Sequence, residues 1–454
     1  MKQPLTEGPI SQRLVKLTLP MVWGILAIVA FNLADTYYVG QLGTDQLAAM
    51  SFTFPVVMTL GSLAMGLGIG ASSIIARAIG EGDRTRVQRF TTNSLTLGVA
   101  AVALLASLGL LTINPLFTAL GADETVMPYI QQYMQIWYFG IVFLVIPMIG
   151  NSAIRAAGDT LTPSLIMIFA AGLNIVLDPF LIFGVAGFPA LGLVGAAWAT
   201  VISRAITLTA SLLVLKFKED MLSSKFPDLE ETLWCWRDIL YIGLPAAGAN
   251  MITPISIGII TSLLASYGSI AVAGFGIASR VESLAMIALM ALSASMGPFV
   301  GQNWGGKQYG RVAEALKQSY IFCLGWGFLM AIALAIFGSQ LAKLFNDNSE
   351  VIDVASTYLW IVPITYGASG IIQVASSAFN ALGKPIPAIT MTALRMFALY
   401  IPLAYLGSNF FGITGVFAAA TIANAVVGIV AFWWSGRTQK KLIECMQTET
   451  AQCV

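Results

Sequence analysis

Long apolar stretches separated by short polar breaks run along the whole chain. Twelve of them are long enough to cross a bilayer as a helix, which takes about 20 apolar residues. They do not alternate polar and apolar side chains as barrel strands do. A backbone that crosses a bilayer without forming a barrel must be helical, because only a helix satisfies its own hydrogen bonds. We therefore predict twelve transmembrane helices, at about 14–40, 46–76, 91–115, 126–150, 160–186, 191–215, 238–264, 269–300, 318–342, 350–378, 386–406 and 411–434.

The composition points to the same class of protein. Of 454 residues, 57% are hydrophobic and 10% are charged, against about 25% charged residues in an average soluble domain. The net charge of +1 argues against a nucleic-acid partner, because phosphate binding needs an excess of clustered cations. The chain has no histidine, which excludes histidine bases and histidine metal ligands. We predict an all-α integral membrane protein without a metal centre or cofactor.

Lysine and arginine are concentrated in every second loop. Arg84 and Arg86 follow the second predicted helix, Lys307 and Arg311 follow the eighth, and the alternate loops contain only Lys343. Because short cytoplasmic loops carry the excess of positive charge, both termini are predicted to be cytoplasmic. The sequence thus predicts a multi-pass protein of the bacterial inner membrane.

The longest polar segment divides the predicted helices into two sets of six. The predicted domains are an N-terminal lobe at 1–215, a linker at 216–237, a C-terminal lobe at 238–436 and a cytoplasmic tail at 437–454.

An internal repeat supports this division. Pro20 corresponds to Pro245 and Gly43 to Gly268, with the same separation along the chain in both pairs. We call this constant separation the repeat offset. Because six helices is an even number, the two lobes have the same orientation in the membrane, and parallel repeats of this kind are typical of transporters.

Two aspartates deep inside predicted helices are the strongest candidates for chemistry. Asp35 and Asp178 occur in the first lobe, and Asn174 precedes Asp178 by four residues, which is the spacing of one helix face. Thr200 and Tyr133 are predicted at a similar depth. Two carboxylates that lie close together in a medium of low dielectric constant cannot both ionise cheaply, so the cluster could carry a proton or bind a cation. The alternative is that the aspartates form local structural hydrogen bonds.

Other polar positions inside the helices have simpler interpretations. We expect Arg204 and Arg395 to snorkel or to bond between helices, and Arg280 and Glu282 to pair with each other or with neighbours in their lobe. Pro20 removes one hydrogen bond from the first helix, so it is either a hinge or a static kink.

Several segments together resemble the multidrug and toxic compound extrusion (MATE) transporters, and more narrowly their DinF-like branch. They include FNLADTYYVGQLGTDQLAAMS at 31–51, SAIRAAGDTLTP at 152–163 and LNIVLDPFLIFG at 173–184. The resemblance implies two pseudo-symmetric six-helix lobes and efflux of amphiphilic, often cationic drugs in exchange for H⁺ or Na⁺.

The resemblance also implies roles for particular residues. Asp35, Asn174 and Asp178 would couple transport to the ion, Pro20 would bend the first helix, and Tyr133 and Thr200 would complete the cluster less directly. Substrate contacts are expected at Phe31, Asn32 and Asn151, and the protein is expected to be a monomer.

The second lobe departs from the NorM-like branch, which is similar but places cation-binding carboxylates in helices 7 and 10. Here the interior of the seventh predicted helix has no acidic residue, and the tenth has only Glu350 and Asp353 at its outer entrance. The coupling chemistry is therefore expected in the first lobe, with a proton favoured over Na⁺.

Two other functions fit the sequence less well. A flippase for lipid-linked precursors would need a strongly cationic cavity, and a membrane enzyme would need a metal-binding acidic motif.

Overall fold

A computed structural model of the protein describes residues 5–223 and 228–447. Lys2, Lys225 and residues 448–454 of the predicted tail lie outside these ranges. The α-helices of the described residues are α1 Ile10–Gly40, α2 Thr44–Glu81, α3 Arg84–Ala119, α4 Met127–Gly140, α5 Val142–Ala156, α6 Leu161–Phe183, α7 Leu193–Leu213, α8 Leu229–Ala265, α9 Ser269–Ala285, α10 Ile287–Gly305, α11 Tyr309–Lys343, α12 Ser349–Ile361, α13 Tyr366–Ala381, α14 Pro385–Ala393 and α15 Ile401–Gln447.

These helices account for the twelve predicted crossings. Nine helical runs in the described part of the chain are long and apolar enough to cross a membrane, and two bent pairs, α4 with α5 (41°) and α9 with α10 (48°), each form one more. The run Pro385–Lys440 contains Gly412, whose φ of 60° and ψ of −141° are not helical. It therefore consists of two crossings, and the prediction of an all-α protein with twelve membrane helices is confirmed.

The outward faces of the helices are strongly apolar. The side chains of Leu111, Phe328 and Phe410 are 78%, 69% and 78% exposed. A soluble protein does not expose so many large apolar side chains, so these faces contact lipid.

The described residues form two compact units. The first contains Leu19–Ala247, and the second contains Leu5–Thr18 and the residues from Gly248 onward. The division between these units falls inside α8, after the segment predicted as the linker, 216–237. The physical reason is that the start of α8 packs on α3, where Trp236 Nε1 donates to the backbone oxygen of Asn93 at 3.1 Å and to Thr96 Oγ1 at 3.2 Å.

Equivalent glycines in the two halves have the same unusual backbone. Gly43 precedes α2 with a φ of 137°, and Gly268 precedes α9 with a φ of 100°. Gly192 and Gly412 also match, at φ/ψ of 57°/−132° and 60°/−141°, although their separation is slightly shorter than the repeat offset. Residues other than glycine rarely adopt these backbone conformations. The repeat in the sequence is therefore also a repeat of backbone structure.

The start of the described chain is anchored in the second unit. Leu5 N donates to Gln302 Oε1 at 3.2 Å, and Asn303 Nδ2 donates to Leu5 O at 3.2 Å. The Arg311 guanidinium donates to Gly8 O at 2.8 Å and to Leu5 O at 3.2 Å. We call residues 5–8 the N-terminal strap; it leads directly into α1.

Candidate functional site

The first unit brings the predicted coupling residues together from four helices. Asp35 lies on α1, Tyr133 on α4, Asn174 and Asp178 on one face of α6, and Thr200 on α7. All except Thr200 are at least nine-tenths buried, and the Asp178 side chain is completely buried. Asn174 Nδ2 lies 3.5 Å from Thr200 Oγ1 and donates to it, which links α6 to α7. We call these five residues, together with Arg204, the first-lobe cluster.

Arg204 supplies the positive charge of this cluster. It lies one helical turn after Thr200 on α7 and is close enough to Asp35 and Tyr133 to interact with them electrostatically. Asp35 and Asp178 also interact electrostatically with each other, and Tyr133 is within reach of both carboxyl groups. The sequence suggested snorkelling or a bond between helices for Arg204. The signal that could have indicated its role was its position one turn after Thr200.

The charges of the cluster define what it can do. Two ionised aspartates beside one arginine leave one net negative charge, which is costly inside a membrane. One proton or one monovalent cation would neutralise it. No group of three or more His, Cys, Asp or Glu side chains within residues 5–223 and 228–447 could hold a metal ion, but carboxylate, amide and hydroxyl oxygens are the donors that hard cations take.

The residues predicted to contact substrate lie in different surroundings. The side chain of Asn32 is exposed and Phe31 is partly buried, while the backbone oxygen of Asn32 accepts a hydrogen bond from Thr36 Oγ1 at 2.8 Å. Asn151 on α5 is only 6% exposed, and its Oδ1 has no hydrogen-bond partner among the described residues. Pro20 lies inside α1, which continues as a helix from Ile10 to Gly40.

The second unit contains a partly buried carboxylate that the sequence did not indicate as part of the coupling site. Glu350 and Asp353 are exposed at the start of α12, as the sequence suggested. Glu282 on α9, however, accepts a hydrogen bond from the hydroxyl of Tyr358 on α12. Arg280 is exposed. The hydrogen-bond partner of Glu282 is therefore a neighbour in its lobe, Tyr358, as one of the two expectations had it.

A partly buried arginine lies near this carboxylate. Arg395 is in a π-helical segment, Leu394–Tyr400, and is within electrostatic reach of Glu282. It donates through Nη1 to Ser369 Oγ on α13 at 3.2 Å, and its Nε has no hydrogen-bond partner among the described residues.

The family model MatE matches this chain twice, over residues 20–180 and 245–406. The chain belongs to the MatE family. The two matches begin at the positions of Pro20 and Pro245, which the repeat offset separates, so each match covers one copy of the duplicated unit.

Individual relatives extend over nearly the whole chain. A protein of Shewanella oneidensis named FAD transporter is 40% identical and aligns with 95% of this chain and 96% of its own length. The multidrug export protein MepA of Staphylococcus aureus is 25% identical, with 94% and 93% covered. The crystal structure of the Vibrio cholerae MATE transporter VcmN in the bent form superposes with a TM-score of 0.89 at 33% identity, with 95% and 97% covered.

These relatives confirm the expected family and the class of function. The MATE protein described here is a multi-pass membrane transporter of small molecules with two six-helix lobes, and it is not an enzyme.

Proposed function

We propose that this MATE protein is an antiporter that exports amphiphilic small molecules in exchange for protons. The observation that supports this most directly is the burial of Asp35 and Asp178 within electrostatic reach of each other, with Arg204 near Asp35. The resulting excess of one negative charge can be neutralised by a proton in one state and by a substrate cation in another. Binding of the two would then be mutually exclusive, which is what exchange requires.

A proton fits the cluster better than Na⁺ does. A sodium ion would need several oxygen ligands arranged around it. A proton needs only one carboxyl oxygen. The oxygens of Asn174 and Thr200 are the donors that a sodium ion would use, so they provide the test of this choice.

We propose that α1 bends at Pro20 in response to proton binding. Protonation of Asp35 or Asp178 turns a hydrogen-bond acceptor into a donor, and the bonds between α1, α6 and α7 change accordingly. A helix that lacks one hydrogen bond at Pro20 can bend to accommodate the change. The relative VcmN, whose crystal structure shows a bent form, supports the idea that this fold has such a state. The alternative is a static kink.

The setting we propose is a monomer of the DinF-like branch in the bacterial inner membrane, with both termini in the cytoplasm. The support for this topology is the positive charge of alternate loops.

Two substrate classes are supported by different observations. The negative charge of the first-lobe cluster, and relatives such as MepA, favour amphiphilic organic cations. The 40% identical relative named FAD transporter favours a flavin dinucleotide, whose diphosphate would need cationic partners such as Arg204 or Arg395.

Purified protein in liposomes distinguishes these classes. Ethidium, a permanent cation, is followed by its fluorescence on DNA trapped inside the vesicles, and FAD by its own fluorescence. With an acidic interior, the proposal predicts uptake of the substrate against its gradient, and loss of that uptake when a protonophore is added. Accumulation that persists with the protonophore and follows a sodium gradient would refute proton coupling.

A further inference from the structure

The second unit holds a polar cluster that the proposed first-lobe mechanism does not use. At its centre is Glu282, which accepts a hydrogen bond from Tyr358. The hydroxyls of Tyr366 and Tyr400 and the guanidinium of Arg395 are also within electrostatic reach of this carboxylate. Tyr366 is completely buried, yet its hydroxyl has no hydrogen-bond partner among the described residues. We call these five residues the second-lobe cluster.

The internal repeat makes the two clusters counterparts of each other. Tyr133 of the first lobe corresponds to Tyr358 of the second at the repeat offset. Tyr133 faces the two aspartates and Arg204, whereas Tyr358 faces Glu282, which in turn is close to Arg395. Each lobe thus places one equivalent tyrosine beside an acid that is within electrostatic reach of an arginine, although the acids and arginines occupy different positions of the repeat.

Glu282 also lies at a break in its helix. The helix bends by 48° between α9 and α10, at Met286, one turn after Glu282. The indole Nε1 of Trp326 donates to the backbone oxygen of Ala285 at 2.9 Å, and a side chain that takes a carbonyl from the helical ladder is a recognised cause of such a bend. The corresponding helix of the first lobe, α2, is continuous from Thr44 to Glu81. A change in the charge of Glu282 therefore occurs one turn from the bend between α9 and α10.

From this geometry we infer that Glu282 is a second proton-binding site, located in the second lobe, with Arg395 as its counter-ion. A metal cation needs several oxygen ligands, and Glu282 is the one carboxylate of the second-lobe cluster, whereas a proton needs a single carboxyl oxygen. The other charged groups on helices packed against α9 are remote from the cluster. Glu350 and Asp353 are exposed at the start of α12, and α10 contains no charged residue. The charged side chains of α11 lie towards its two ends, at Arg311, Glu314, Lys317 and Lys343.

The proton has a definite effect on the charge of this lobe. While Glu282 is ionised, it balances Arg395. When its carboxylate takes up a proton, no bond to another group is broken, but the positive charge of Arg395 is left uncompensated. A substrate cation is then disfavoured in this lobe, so proton uptake and cation release are linked here as well. The inference goes beyond the proposed function, and its test does not depend on which substrate is transported.

Infrared difference spectroscopy as a function of pH tests the assignment directly, because a protonated carboxyl group has a separate carbonyl band. The protein is measured in lipid in an Asp35→Asn, Asp178→Asn background, which removes the two acids of the first-lobe cluster. We expect a pH-dependent carboxyl band of Glu282 to remain, and we expect adding Glu282→Gln to remove it. The matched control, Glu350→Gln in the same background, should leave the band in place.

Two outcomes would overturn the inference: the absence of a pH-dependent carboxyl band in the background variant, or a spectrum that Glu282→Gln leaves unchanged. If the Glu282→Gln protein does not fold, Glu282→Asp replaces it. This variant keeps the acid but shortens it, so its hydrogen bond from Tyr358 changes and the carbonyl frequency should shift. An unshifted band would assign the signal to another residue and refute the inference.

Discussion

The N-terminal strap offers a quantitative test of how α1 is anchored. Arg311→Ala removes the donors to Gly8 O and Leu5 O, at 2.8 and 3.2 Å, and a third bond in which Arg311 Nε donates to Asn303 Oδ1 at 2.9 Å. A hydrogen bond to a charged group contributes roughly 1.5–3 kcal/mol. Because the strap is partly exposed and Leu5 keeps its bond to Gln302, we take about 2 kcal/mol for the whole loss. That corresponds to an increase of about 30-fold in the population of the released strap.

Hydrogen–deuterium exchange of the peptide that covers the strap and the first turn of α1 measures this population. We expect the amides of residues 5–13 to exchange about 30-fold faster in Arg311→Ala. The matched control is Arg86→Ala, because Arg86 is the repeat counterpart of Arg311 and pairs with Glu81 instead. Unchanged exchange in Arg311→Ala, or an equal increase in both variants, would show that the guanidinium does not hold the strap.

Three further substitutions test separate parts of the account. Gly66→Ala should destabilise the protein by roughly 1–3 kcal/mol in thermal unfolding in detergent, because its new methyl group would lie 2.5 Å from the Cβ of Ala247. The control, Gly61→Ala on the same helix, should be neutral because its new methyl group has no atom within 4 Å. Equal effects of the two substitutions would refute the close packing of α2 on α8. Pro20→Ala should slow transport more than it weakens substrate binding, and full activity would favour the static kink. Asn174→Ala should reduce proton-driven uptake but keep it measurable, and a protein that becomes dependent on sodium would contradict the proposed coupling.

The helices and the duplication could be predicted from the sequence because they depend on local apolar length and on a constant offset. The finer breaks could not. Met286 carries no helix-breaking signal of its own, and its bend arises from Trp326, which is distant along the chain and adjacent only in the folded unit. The division between the two compact units inside α8 also depends on contacts between distant parts of the chain, since Trp236 of α8 donates to Asn93 and Thr96 of α3.

The candidate site shows the same division. Asp35, Asn174 and Asp178 could be selected because ionisable and amide side chains are rare inside membrane helices and because two of them share a helix face. Arg204 and Glu282 were also visible as ionisable residues, but their partners come from other helices. The repeat offset did contain an unused signal, because it pairs Tyr133 with Tyr358 and so links the surroundings of the two clusters.

Proton-driven transport by the first-lobe cluster is the central claim, and one measurement tests it most directly. Liposomes with an acidic interior and no sodium gradient are prepared with the wild-type protein or with Asp35→Asn, with the membrane potential clamped in both. The wild-type protein should accumulate ethidium or FAD inside the liposomes until the pH gradient is dissipated. Asp35→Asn should stay folded, since removing a buried charge does not by itself destabilise, and it should show no accumulation. Accumulation by Asp35→Asn at the wild-type rate would contradict the claim.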